Sequence, residues 1–156
     1  SLGYANGWKK YVDAGQAEIG GLELSALQQI SSSWTFQSGL SFERGNLVSL
    51  SDNLPLIPPL EVHGSLKFDQ PSYWVQLDVR GAGNQERTSF LGGENSTPSF
   101  LVINVKGSYV FPNGVELNVG MNNISNQLYH EHLDWGDFNR PGRNAFASLT
   151  LNQLVF

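Results

Sequence analysis

Hydrophobic and polar residues alternate along most of the chain. Trp34, Phe36, Ser38, Leu40 and Phe42 fall on one side of a two-residue repeat, and Thr35, Gln37, Gly39, Ser41 and Glu43 on the other. That is the period of a half-covered β-strand, whose successive side chains point to opposite faces. The pattern recurs with Leu60, Val62, Gly64, Leu66 and Phe68 against Glu61, His63, Ser65 and Lys67, and with Tyr73, Val75, Leu77 and Val79 against Trp74, Gln76, Asp78 and Arg80. It returns with Leu101, Ile103, Val105, Gly107, Tyr109 and Phe111 against Val102, Asn104, Lys106, Ser108 and Val110. A fifth run sets Val115, Leu117, Val119 and Met121 against Glu116, Asn118, Gly120 and Asn122. Flanking strands near Ala17 to Leu27 and Ala145 to Phe156 bring the expected total to about seven. No long segment shows the 3.6-residue helical period, so the expectation is an all-β, antiparallel sheet.

The expected connections alternate in length. Gln29–Ser33, Asp69–Ser72 and Pro112–Gly114 are short, whereas Arg44–Pro59, Gly83–Pro98 and Asn123–Arg143 are long. In an antiparallel meander this places the short turns on one rim and the long loops on the other. Pro112-Asn113-Gly114 is a hairpin signal, and Pro58-Pro59 stands where a missing ladder donor does least harm.

Two architectures fit this alternation. A soluble antiparallel barrel or sandwich buries the apolar face as its core, and its site would lie in the long loops. A membrane barrel turns the same face to lipid. The second gains from the aromatics beside the short turns: Trp34, Phe36, Phe68, Tyr73, Tyr109 and Phe111 resemble an interfacial belt. Strand segments of about 9 to 11 residues also match a tilted crossing of a bilayer. Seven strands would be odd for a bacterial barrel, so Ser1–Ala5 is expected to be the stub of another strand, or more chain to lie upstream, with Asn6–Gly15 as one further outer loop.

Composition removes several chemistries. The chain of 156 residues has no Cys, which excludes a catalytic thiol, a disulfide framework and a Cys-based zinc site. Its formal charge of -5, with no run of Lys and Arg, argues against a nucleic-acid face. No apolar stretch approaches the roughly 20 residues of a membrane helix. The opening Ser1-Leu2-Gly3-Tyr4 lacks a signal sequence and an initiator Met, as expected of a processed chain or an excised piece.

Three stretches carry a family resemblance: Val12 to Leu24 (VDAGQAEIGGLEL), Leu54-Pro55-Leu56-Ile57-Pro58-Pro59, and Gly120 to Tyr129 (GMNNISNQLY) continuing through His132-Leu133 to Pro141-Gly142-Arg143. In order and spacing they resemble the C-terminal barrel part of TonB-dependent outer-membrane receptors. The resemblance implies that residues 1–156 are a membrane β-barrel segment, about seven to eight strands of a 22-stranded barrel, with the earlier strands and the plug domain absent. It further implies a Gram-negative outer-membrane location and contact with outer-membrane lipid, with the rest of the receptor including its plug, and with the TonB complex. The implied cargo is a ferric siderophore, another metal chelate or a similar small solute. No resident cofactor and no enzymatic activity are implied. One departure stands at the C-terminus, where Leu149-Thr150-Leu151-Asn152 is followed by Gln153 before Leu154-Val155-Phe156, so the apolar register shifts ahead of the terminal Phe156.

Candidate residues concentrate in the long loops. Trp8, Tyr11, Arg87, Phe90, Tyr129, Trp135, Phe138 and Arg140 offer stacking surfaces and anion-compatible donors for a ligand. His130, His132, Asp134 and Asp137, with Glu131 between the histidines, have the donor types of a borderline metal ion, although the resemblance reads a His at the second position as loop structure. Glu61, His63, Lys67, Trp74, Asp78, Arg80, Lys106 and Glu116 share the polar face, where structural ion pairing is favoured over ligand contact. Pro141, Gly142, Arg143 and Phe156 are structural, Arg143 being expected to fix the start of the last strand. No serine stands in a nucleophile elbow, and the three histidines support no hydrolytic triad.

Overall fold

The computed structural model describes residues 15–151, with Trp135 described by its backbone alone. The expected stub Ser1–Ala5, nearly all of the Asn6–Gly15 loop, and Phe156 with the register shift at Gln153 lie outside the described residues.

Eight strands form one antiparallel sheet: β1 (Ala17–Gln29), β2 (Trp34–Leu47), β3 (Asp52–Asn53), β4 (Glu61–Gln70), β5 (Tyr73–Ala82), β6 (Phe100–Val110), β7 (Val115–Asn122) and β8 (Asn144–Leu151). The main path runs β1-β2-β4-β5-β6-β7-β8, and β3 pairs with the far end of β2. Each long strand therefore lies beside its neighbours in sequence. The turns explain this arrangement. β4 and β5 are joined by Pro71-Ser72 alone, and between β6 and β7 Gly114 takes φ 80°, a left-handed conformation that glycine adopts at no steric cost.

The register keeps the alternation in phase across the sheet. Phe36 pairs with Leu66, Leu66 with Leu77, Leu77 with Val105, Val105 with Met121, and Met121 with Ala145. The adjacent row runs Thr35, Lys67, Gln76, Lys106, Gly120 and Phe146. A slip by one residue would exchange these faces, so the pattern that predicts the strands also fixes their pairing. The Phe146 ring lies over Gly120, where a Cβ would stand 2.3 Å from it, so a side chain at that position would have to displace the ring.

The expectation of a membrane-barrel segment is corrected here, because the sheet is open. β1 and β8 occupy its two edges, and neither pairs with the other or with a further strand among the described residues. A barrel needs its first and last strands hydrogen-bonded together, and this sheet lacks that closure. The closed barrel of the soluble reading is corrected on the same ground.

Among the described residues no second layer covers the apolar face of the sheet. Leu22, Leu24, Phe36, Val62, Val75, Leu77 and Leu149 are all exposed. Burial instead gathers on the polar face at the long-loop rim, where Ala82, Phe100 and Val102 form a small cluster against Tyr129, and at Leu47, the end of β2, and Ile57 in the connection that follows it. At the opposite rim the expected aromatic row forms: Trp34 and Phe68 have centroids 4.8 Å apart, Phe68 and Tyr73 6.0 Å, and Tyr109 and Phe111 4.9 Å.

Candidate functional site

Three long connections rise from one rim: residues 48–60, 83–99 and 123–143. The first is shorter than expected, because the alternation of β2 continues through Arg44 to Leu47 along β1. It then folds back through a single 3-10 turn, Val48–Leu50, and β3.

Two carboxylates knit the first loop to the second. Asp52 accepts the Ser89 hydroxyl at 2.7 Å and the backbone N–H groups of Leu91 at 3.0 Å and Phe90 at 3.2 Å. Those donors, led by the Leu91 N–H and the Ser89 hydroxyl, hold its carboxyl below the usual range. Glu94 reaches the other way, accepting Leu56 N–H at 2.5 Å and Ser89 N–H at 2.8 Å. Ser89 is completely buried between them, and its Oγ also accepts Gly92 N–H at 2.8 Å.

The third loop joins through His132. Its side chain is 3% exposed, with Nδ1 2.9 Å from the Thr97 hydroxyl and Nε2 3.7 Å from Glu94 Oε1. That separation is too long for a hydrogen bond, and Nε2 is the buried side-chain polar atom without a partner among the described residues.

A second network anchors the third loop to the sheet. Glu131 receives a forked pair from Arg80, with Nη1 at 2.6 Å from Oε1 and Nη2 at 3.0 Å from Oε2. Arg80 also lies 3.4 Å from Glu61 on the neighbouring strand. Arg140 forks onto Asp134, with Nε at 2.8 Å and Nη2 at 2.5 Å, and stands 3.5 Å from Glu131. The Arg80 hydrogen bond is the main reason that Glu131 titrates below its ordinary value. For Asp134, desolvation pushes upward, but the Glu131 N–H and Arg140 outweigh it and the net shift is downward. Tyr129 stacks on Phe100 with centroids 4.4 Å apart, and burial, then the Glu131 charge, raise its phenol.

The candidate metal ligands are not brought together. His132 turns to Thr97 and Glu94, Asp134 to Arg140, and Asp137 accepts Asn95 Nδ2 at 3.2 Å, leaving His130 partly exposed on its own loop. Among the described residues no three His, Asp or Glu side chains converge as a metal site would require.

The candidate ligand contacts divide. Phe90 is 88% exposed and Phe138 74%, so both aromatic faces are free to stack. Arg87 is exposed and donates to Asn46 Oδ1 at 2.9 Å, whereas Arg140 and Tyr129 are engaged in holding the loop. Trp8, Tyr11 and the Trp135 side chain lie outside the described part. The structural motif is engaged: the Pro141 carbonyl accepts Asn123 Nδ2 at 3.2 Å, and Arg143 Nε donates to the Ile124 carbonyl at 2.9 Å. Gly142 leaves room for Asn126 Oδ1, which a Cβ would approach to 2.7 Å. Asp52, Ser89, Glu94 and Thr97 escape sequence reading, since their partners stand 35 or more residues apart in chain order or act through backbone N–H groups that carry no residue signature.

No family model and no curated protein matches the chain. Solved structures do. The copper transporter OprC superposes with a TM-score of 0.78 at 26% identity, over 85% of this chain and 22% of that one. A variant of the ferric enterobactin receptor PfeA from Pseudomonas aeruginosa superposes at 0.71 and 16% identity, over 88% of this chain and 22% of that one. The chain is structurally related to TonB-dependent outer-membrane receptors. It spans about a fifth of the length of these relatives, one a transporter and the other a receptor.

Proposed function

We propose that this chain supplies a solute-binding loop rim for uptake at the Gram-negative outer membrane, with a ferric siderophore or another metal chelate as the cargo. The observation that carries the reading is the convergence of three long loops, cross-linked by Asp52, Glu94, His132 and the Arg80–Glu131–Arg140 group, on one rim of a rigid sheet. Loops braced in this way can hold exposed aromatic faces such as Phe90 and Phe138 at fixed positions, which lowers the ordering cost of binding. The names of the superposed structures, a copper transporter and a ferric enterobactin receptor, support the metal-chelate class. In this reading residues 1–156 are the C-terminal part of a longer receptor, with a plug domain and the TonB complex as partners. The loops bind and orient the cargo, and no covalent chemistry is involved.

A second reading, a detergent-independent antiparallel binding module with its site in the same loops, is favoured by the open sheet. One experiment separates them. The full-length protein is fractionated and titrated with ferric chelates and with Cu(II) while tryptophan fluorescence is followed. Saturable quenching by a chelate from protein in the outer-membrane fraction is the expected result. Recovery as a stable monomer without detergent would assign the loops to the second reading, and absence of any chelate binding would sink both.

A further inference from the structure

Five non-glycine residues take a positive φ among the described residues: Ser51, Leu56, Asn123, Asn126 and Asp137. Four have short polar side chains that can bond locally in this conformation, whereas Leu56, at φ 59°, has none and its side chain is exposed. Packing of that side chain therefore does not hold the strain. Pro55 and Leu56 are the central pair of a turn, and among the standard turns type II is the one that joins a proline to a positive φ at the next residue. Glycine is the usual occupant there. The group that selects this turn is Glu94, whose Oε1 accepts Leu56 N–H at 2.5 Å while Oε2 accepts Ser89 N–H at 2.8 Å.

Both flanks of the turn are fixed. Leu54 N–H donates to the Gly45 carbonyl at 3.0 Å, the Ile57 carbonyl accepts Gln85 Nε2 at 2.7 Å, and both side chains lie over the bare Gly45 backbone. Relaxation of Leu56 is thereby confined to its own peptide. A type II turn becomes type I when the central peptide rotates by roughly half a turn, with the flanking residues kept in place. That rotation brings Leu56 to negative φ and turns its N–H away from Glu94. A second donor stands beside the oxygen it leaves. His132 Nε2 is 3.7 Å from the same Oε1, buried and without a partner among the described residues. With the Thr97 hydroxyl donating to Nδ1, the ring proton sits on Nε2 and faces the carboxylate, whereas the opposite tautomer would set a lone pair against it.

We propose that Glu94 works as a two-position latch between the first and third loops. In the first position Oε1 holds Leu56 N–H and keeps the turn in its strained form. In the second, the carboxylate and His132 Nε2 close by about 1 Å to a hydrogen bond, and the Pro55–Leu56 peptide flips. Relief of the strain at Leu56 and a partner for the buried His132 donor favour the second position, and the short Leu56 bond favours the first. Oε2 keeps Ser89 N–H and Asp52 keeps Phe90 and Leu91, so the loops stay joined while the first-loop tip is released. Movement of the third loop toward Glu94 thus frees the tip of the first, a coupling that neither functional reading above requires.

Hydrogen exchange of the full-length protein, followed by mass spectrometry, tests the latch. Residues 54–59 carry backbone amides at Leu54, Leu56 and Ile57 alone, because the other three are prolines. Leu56→Gly accepts a positive φ without strain and should slow exchange of this segment on the order of 10-fold, after correction for the intrinsic rate of glycine. His132→Phe keeps a buried ring but removes the competing donor, and should slow the same segment about 5-fold. Glu94→Gln weakens the acceptor and should speed it about 5-fold. Exchange in β4 and β5 should be unchanged in all three. Unchanged exchange after Leu56→Gly would show that the turn stores no strain, and unchanged or faster exchange after His132→Phe would show that His132 does not compete for Glu94. Either result overturns the latch, and Leu56→Gly, at an exposed turn, decides alone if His132→Phe disturbs β4 or β5.

Discussion

Arg80 and Glu131 meet as a two-pronged ion pair, at 2.6 and 3.0 Å, across 51 residues of chain. One belongs to the inner strand β5 and the other to the loop that precedes β8, so the pair fixes the third loop against the sheet. Glu131→Gln keeps the side-chain size but removes the charge from a group that Arg140 also approaches. The Arg80 side chain is 39% exposed and that of Glu131 21%, so solvent screens the interaction and the expected loss is about 1 kcal/mol. Faster amide exchange in residues 128–140, with β5 and β6 unchanged, is the expected signature. Uniform exchange across the variant would show that the pair holds nothing in place.

The same carboxylates set an acid limit. Glu131 and Asp134 titrate lower in the folded protein than in an unfolded chain, so their contribution is fully present above the ordinary carboxylate value of about 4 and is lost as pH falls through the folded values. Proteolytic sensitivity of the third loop should therefore stay flat from neutral pH to about 5 and rise only below about 4. Loosening of the loop already between pH 7 and 6 would assign control to another group.

The polar face was largely legible from sequence, and the loop geometry was not. Alternation placed Arg80, Glu61 and Lys106 on one face because a strand has a fixed two-residue period, and ion pairs on that face are found at Arg80–Glu61 and Lys106–Asp78. Glu131 read only as a spacer between two histidines, since nothing local announces a partner on β5. His130, His132, Asp134 and Asp137 have the donor types of a metal site, but the turn at Gly136, with φ 74°, and the fork of Arg140 on Asp134 send them to separate partners. Closure was unreadable for a different reason. The two-residue period is the same in an open sheet and in a barrel, and only the pairing of the outermost strands distinguishes them.

His132 is the link between the second and third loops, through Thr97 at 2.9 Å. His132→Ala removes that hydrogen bond and opens a cavity at a site where the side chain is 3% exposed, at an expected cost of about 2 kcal/mol. Thermal unfolding should shift downward, and isothermal titration with Zn(II) or Cu(II) should give the same heat for variant and parent. A lost metal-binding isotherm in the variant would restore His132 as a ligand.

Phe90 and Phe138 separate binding from folding. They are 88% and 74% exposed, so their rings contribute little burial, and Phe90 is tied down through its backbone N–H on Asp52. Phe90→Ser preserves that backbone contact while removing the ring, and Phe138→Ser removes a ring that packs beside Gly136. Each should leave the melting temperature within about 2 °C, the scale of an exposed substitution. If the loop rim recognises its chelate by stacking, each should also weaken binding by about 5- to 10-fold, the equivalent of roughly 1 kcal/mol of aromatic contact. The two effects are measured on one preparation, by calorimetry and by fluorescence titration. Unchanged chelate affinity in both variants, with the fold intact, would place recognition away from these aromatic tips and on the arginines or the inner face instead.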